Sequence, residues 1–181
     1  MNWKEFKIWS EEVLEDWVLV RAWGFQFQPG TKWNPGLPLQ EIKKLEKIFG
    51  FEFPTEYQQM LLTINGLDRD MIAIDPDGTD ESEYGQNVYQ YPADIKKAEE
   101  LVNEIKENIY YVKEALRLDG YDPESVIGFV PLYGHQALAV FYDKSLSPVI
   151  SIHQGTDVVV VSESLMNYWK ENRLVNDGEP L

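Results

Sequence analysis

The thirty-one residues from 37 to 67, LPLQEIKKLEKIFGFEFPTEYQQMLLTINGL, constrain the fold more than any other stretch of the chain. Pro38 suits a first helical turn, where its missing N–H costs nothing. Ile42, Leu45, Ile48 and Phe49 recur at three- and four-residue spacing and mark one face of a helix. Gly50 follows as a left-handed cap. Pro54 starts a second helix, with Tyr57, Met60, Leu61 and Ile64 as its apolar stripe. Asn65-Gly66 reads as a turn at positive φ that leads into a short strand, Met71–Ile74.

The flanking sequence supplies the rest of an α+β pattern. Trp3, Phe6, Trp9, Val13, Leu14 and Trp17 predict an amphipathic helix over residues 3–17, and 19–27 reads as a strand or hairpin arm. Gln28-Pro29-Gly30 and Asn34-Pro35-Gly36 are turn signals, with Trp33 between them packing back on the core. Residues 93–117 read as one long helix, with Ile95, Ala98, Leu101, Val102, Ile105, Ile109, Val112 and Leu116 on one side. Four apolar runs follow, at 126–132, 137–142, 149–153 and 158–161. The first is broken by Gly128 and Pro131, and their short spacing implies hairpins and an antiparallel sheet. Ser162 is placed to cap a last helix ending near Trp169. The expected architecture is a single α+β domain, its antiparallel sheet packed against helices and containing 71–74 together with the later strands.

The order of these features resembles the SUKH superfamily, the Smi/Knr cell-wall-regulator family and its bacterial relatives. The matching positions are Glu46, Gly50, Phe53-Pro54, Tyr57, Leu61-Leu62 and Asn65-Gly66 in the first half. In the second half they are Phe129-Val130-Pro131-Leu132, Phe141-Tyr142-Asp143, Pro148-Val149, and Leu165 with Tyr168-Trp169. The resemblance implies a SUKH-like domain over 37–181, preceded by an N-terminal helix and aromatic-rich extension over 1–36 packed on the core. The helical insertion near 93–117 is longer than the loop or shorter helix that superfamily members commonly carry there. It also implies an immunity protein that binds and blocks a cognate bacterial toxin, often a nuclease, with no shared catalytic set to carry over.

Charge and composition narrow the function classes independently. The net charge is −15 over 181 residues, which opposes nucleic-acid binding and docking to anionic lipid but favours association with a basic protein. There is no cysteine, so thiolate chemistry and disulfides are excluded. The N-terminus lacks a secretory pattern, and no apolar run approaches the roughly 20 residues of a membrane span, so a cytoplasmic protein is expected. No G-x-S-x-G, P-loop or G-x-G-x-x-G is present.

Three constellations bear on ligands. The run Asp75-Pro76-Asp77-Gly78-Thr79-Asp80-Glu81 departs from a calcium loop, because Gly78 comes early and Gln86 stands where the closing Glu belongs. His135 and His153, with Asp143 or Asp157, make a weak metal pattern against local hydrogen bonding at strand ends. The N-terminal tryptophans could line a sugar groove, but core packing reads better. Neither a metal nor a cofactor is expected, and no catalytic residues are assigned. The expected activity is binding to a basic toxin domain through Asp68, Asp70, Asp77, Asp80, Glu81 and Glu83, together with Glu99, Glu100 and Glu104 on the long helix. The alternatives are a ligand- or glycan-binding regulator related to cell-wall control and a carboxylate-dependent hydrolase.

Overall fold

The computed structural model describes residues 1–75 and 82–174. Helix α1, Trp3–Glu15, opens with a reciprocal cap in which Asn2 accepts the Glu5 N–H and Glu5 accepts the Asn2 N–H. Strands β1, Ala22–Gln26, and β2, Trp33–Pro35, follow. Helices α2, Leu39–Phe49, and α3, Thr55–Leu61, are joined through Gly50 at φ 84°, the left-handed cap that the sequence indicates. Strands β3, Ile64–Leu67, β4, Met71–Ile74, and β5, Ser82–Gly85, complete the first half. The second half contains α4, Ile95–Glu107, and α5, Ile109–Leu118. After these come β6, Val126–Tyr133, β7, Gln136–Phe141, β8, Val149–His153, and β9, Asp157–Ser162. The last element, α6, begins at Leu165–Asn167 and continues as a π-helix over Tyr168–Arg173.

The fold is α+β with antiparallel pairing throughout the described strands, but the strands form three sheets rather than one. The four-stranded sheet runs β6-β7-β8-β9, so the C-terminal runs pair as consecutive hairpins. Strand β4 does not join them. It lies between β1 and β5, while β3 pairs with β2. The N-terminal segments therefore supply the backbone partners that β3 and β4 need, and α4 and α5 separate β5 from β6 along the chain.

Two local expectations also change. Asn65-Gly66 is not a hairpin turn; both residues belong to β3. Gly66 does take φ 80°, and a Cβ there would sit 2.7 Å from the Gln90 Cβ, so glycine is required by close approach. Asn65 is buried and behaves as a substitute peptide group. Its amide donates to the Tyr91 carbonyl at 2.6 Å and its oxygen accepts the Tyr91 N–H at 3.0 Å. The long helix is in fact two. At Asn108 the side-chain amide donates to the Glu104 carbonyl at 3.0 Å, competing with the helix backbone, and α4 ends there. Ile48, assigned to the inward face of α2, is 54% exposed, and the buried face is Ile42, Leu45 and Glu46.

One apolar cluster joins α1 through Phe6 and Leu14, α3 through Tyr57 and Leu61, and the inner face of the four-stranded sheet. Trp33 closes this core: its indole donates to Ser10 Oγ at 2.9 Å and its ring meets Trp169 edge-on at 5.2 Å. Two carboxylates bond the framework from within. Glu46, 6% exposed, accepts the Phe53 N–H at 2.9 Å and the Gln58 amide at 2.8 Å, and its other oxygen pairs with Lys43 at 2.7 Å. Glu56 on α3 accepts the Leu165 N–H at 3.1 Å, the Met166 N–H at 2.9 Å and the Ser147 hydroxyl. It thus satisfies orphan donors at the start of α6 and complements that helix's dipole. Glu56→Ala should destabilise the fold by about 2–3 kcal/mol, because two backbone donors lose a charged acceptor. Gln59→Ala on the exposed side of α3 should stay within about 0.5 kcal/mol. Urea denaturation of both variants measures the difference.

Candidate partner-binding surface

The acidic residues singled out from sequence fall into two groups in the fold. Asp68 and Asp70 flank the turn between β3 and β4, and Glu83 lies on β5 opposite Ala73. Glu99, Glu100 and Glu104 are on the exposed side of α4, whose Ala98, Leu101 and Ile105 face the core. Asp77, Asp80 and Glu81 lie outside the described residues, as does the calcium-loop comparison that depends on them.

Gln86 connects the two groups. Its amide donates to Asp70 Oδ1 at 2.8 Å and its carbonyl accepts from Lys97 Nζ at 2.6 Å, on the first turns of α4. Lys97 also stands 4.9 Å over the ring of Tyr89. Burial pushes the Tyr89 hydroxyl up to about 12, and the negative charges of Asp94, Glu100 and Glu104 add to that rise. These carboxylates therefore converge on one side of the molecule, beside the β3–β4 turn that Gln86 ties to α4.

The carboxylates differ in what holds them. Asp68 is committed to structure. Its Oδ1 accepts the Lys32 N–H at 2.9 Å, and Arg69 bonds both of its oxygens at 3.2 and 3.1 Å. Partial burial pushes its carboxyl up, but Arg69 and the Lys32 amide outweigh this and hold it below the usual range. Arg69 in turn donates to the Pro29 carbonyl at 3.1 Å, so the group fastens the 28–32 turn to the end of β3. Glu83, Glu99 and Glu100 are exposed and make no such commitment among the described residues.

Trp23 on β1 is 81% exposed, and Tyr84 on β5 is also exposed, so the same three-stranded sheet that carries Glu83 presents two large aromatic side chains to solvent. Sequence reasoning grouped Trp23 with the core tryptophans. The only local sign against that is Gly24, which takes φ 95° and interrupts the alternation of β1. Of the other N-terminal tryptophans, Trp3 and Trp33 are buried, and Trp9 and Trp17 pack partly buried against the core.

The two histidines do come together. His135 lies in the β6–β7 turn and His153 ends β8, with ring centroids 5.4 Å apart, and the His135 carbonyl accepts the Ile152 N–H at 3.1 Å. Among the described residues no group of three His, Asp or Glu side chains is arranged to hold a metal ion. Burial lowers the His135 pKa, and the neighbouring His153 and Arg173 lower it further against the opposing charge of Glu104. The arrangement offers charged and aromatic contact groups.

Two measurements separate these roles. Asp68→Ala should cost about 1–2 kcal/mol in urea denaturation, whereas Glu83→Ala should stay within about 0.5 kcal/mol. For His135 the folded pKa lies below the unfolded value of about 6.5, so its contribution is present above that pH and lost as pH falls through the folded pKa. The melting temperature should therefore drop on acidification from pH 7.5 to pH 5, and His135→Gln should flatten that drop.

Within the described residues, no helix is long and apolar enough to cross a membrane. A family model described as the SMI1 / KNR4 family (SUKH-1) matches residues 36–171. No curated protein matches the chain as a relative.

Proposed function

The chain belongs to the SMI1 / KNR4 family (SUKH-1), and we propose that it acts by binding rather than catalysis, neutralising a cognate basic toxin domain such as a nuclease. The observation that supports this reading is the exposure of the uncommitted carboxylates Glu83, Glu99 and Glu100 in a chain whose net charge is −15. A nuclease cleft must be basic to hold phosphate, and an acidic protein surface is its electrostatic complement. The exposed Trp23 and Tyr84 add the aromatic anchors on which protein interfaces concentrate their energy. The α4 carboxylates steer the partner in, and the three-stranded sheet holds it.

The test is co-expression with a candidate toxin domain encoded by a neighbouring reading frame, followed by stopped-flow binding of the purified pair. The wild-type protein should rescue growth, and association should slow as salt rises. Reversing Glu99, Glu100 and Glu104 to Lys should slow association about tenfold at low salt, since steering acts mainly on the on-rate. Trp23→Ala should leave the on-rate nearly unchanged and speed dissociation. Failure of the wild-type protein to rescue or bind rejects the reading.

A further inference from the structure

A cavity of about 320 Å³ opens between the paired helices α4 and α5 and the first residues of β6. Its walls include Val102 of α4, Val112 and Leu116 of α5, Ile127 of β6 and the ring of Phe51 from the α2–α3 connection. Its size lies at the lower end of the roughly 300–1,000 Å³ span of small-molecule sites. Residues of both helices line the space at three- and four-residue spacing. Gly128 allows the Phe51 ring to lie against β6, since a Cβ there would fall 2.1 Å from its Cε1.

The polar groups at the cavity are few and unequal. Lys113 is neutralised by Glu124, whose two oxygens each lie 2.9 Å from Nζ. Lys106 also borders the cavity, and among the described residues its ammonium has no hydrogen-bond or ion-pair partner. It is an unpaired cation at an apolar cavity, in a chain with 16 basic and 31 acidic residues. The cavity's remaining charged lining residues, Lys113 and Glu124, cancel one another.

We propose that this cavity binds a small amphipathic anion, an aliphatic or aromatic carboxylic acid whose apolar body lies among the helices and whose carboxylate meets Lys106. A cationic amphiphile would meet at Glu124 a charge that Lys113 already balances, and a neutral one would gain nothing from Lys106. The cavity shares α4 with the acidic residues, but its ligand is titrated into the protein without a toxin, so the two proposals fail separately.

The probe is decanoate, titrated below its micelle concentration by calorimetry and by methyl NMR, with decyltrimethylammonium as the matched cation. Decanoate should saturate one site and shift the methyl signals of Val102, Val112, Leu116 and Ile127 selectively. The cation should bind at least about tenfold more weakly. Lys106→Glu, on an exposed position, should keep the melting temperature and weaken decanoate about tenfold. Ile127→Trp should fill the space and remove the selective shifts, with the melting temperature showing that the variant is folded. Absence of saturable binding overturns the proposal and leaves the groove to a protein partner's side chains. Equal binding of acid and cation overturns it too, as does full decanoate affinity in a folded Lys106→Glu variant.

Discussion

The carboxylate of Glu56 holds together parts of the chain that are far apart in sequence. It leaves α3, meets the hydroxyl of Ser147 before β8, and accepts the N–H groups of Leu165 and Met166 at the start of the last helix. A carboxylate has the lone pairs to satisfy several donors at once, and backbone amides at a helix start have no other partner. Trp169 and Tyr168, a few residues later, then fall onto Trp33 and Gln136 in the centre of the core. Glu46 does the same work locally, accepting the Phe53 N–H and fixing the turn between α2 and α3. Glu56 spends its charge on amide and hydroxyl donors, and Glu46 divides its own between amide donors and Lys43.

The remaining acids are distributed by the opposite logic. Ala98, Leu101 and Ile105 face inward along α4, so Glu99, Glu100 and Glu104 face water. Helical geometry alone dictates that partition. The β3–β4 turn is less free: Asp68 is bound by Arg69 and Lys32, and Asp70 accepts from Gln86. A large negative charge therefore does not translate into an evenly available acidic surface. Some carboxylates build the turn that positions the others.

The break at Asn108 divides the helical segment in two. It separates α4, which carries the acidic face, from α5, which packs against β9 and the turn before β6. The apolar cavity lies between the two helices and β6, bordered by Lys106. One polar side chain bonding to the carbonyl four residues back thus divides a continuous apolar stripe into two helices with different duties.

Periodicity and punctuation in the sequence determined α1, the α2–Gly50–α3 passage, β4 and the three final hairpins; the closing helix was expected too, but Ser164 caps it and Ser162 ends β9. Each depends on contacts or dihedral preferences within a few residues, and the ordered motifs of 37–170 marked the family that the match over 36–171 shows. Tertiary structure alone decided which strands share a sheet. Asn65-Gly66 has the composition of a hairpin turn, yet it lies inside β3, because Tyr91, twenty-six residues away, supplies the partner for the Asn65 amide. Strand β4 has the composition of its C-terminal counterparts, yet it pairs with β1 and β5. Gly24 was the one local sign that Trp23 stays in solvent, and the fold buried Trp3 and Trp33. Local sequence encodes the shape of an element and the face it must bury; which neighbour covers that face is set by distant segments competing for the same backbone bonds and apolar surface.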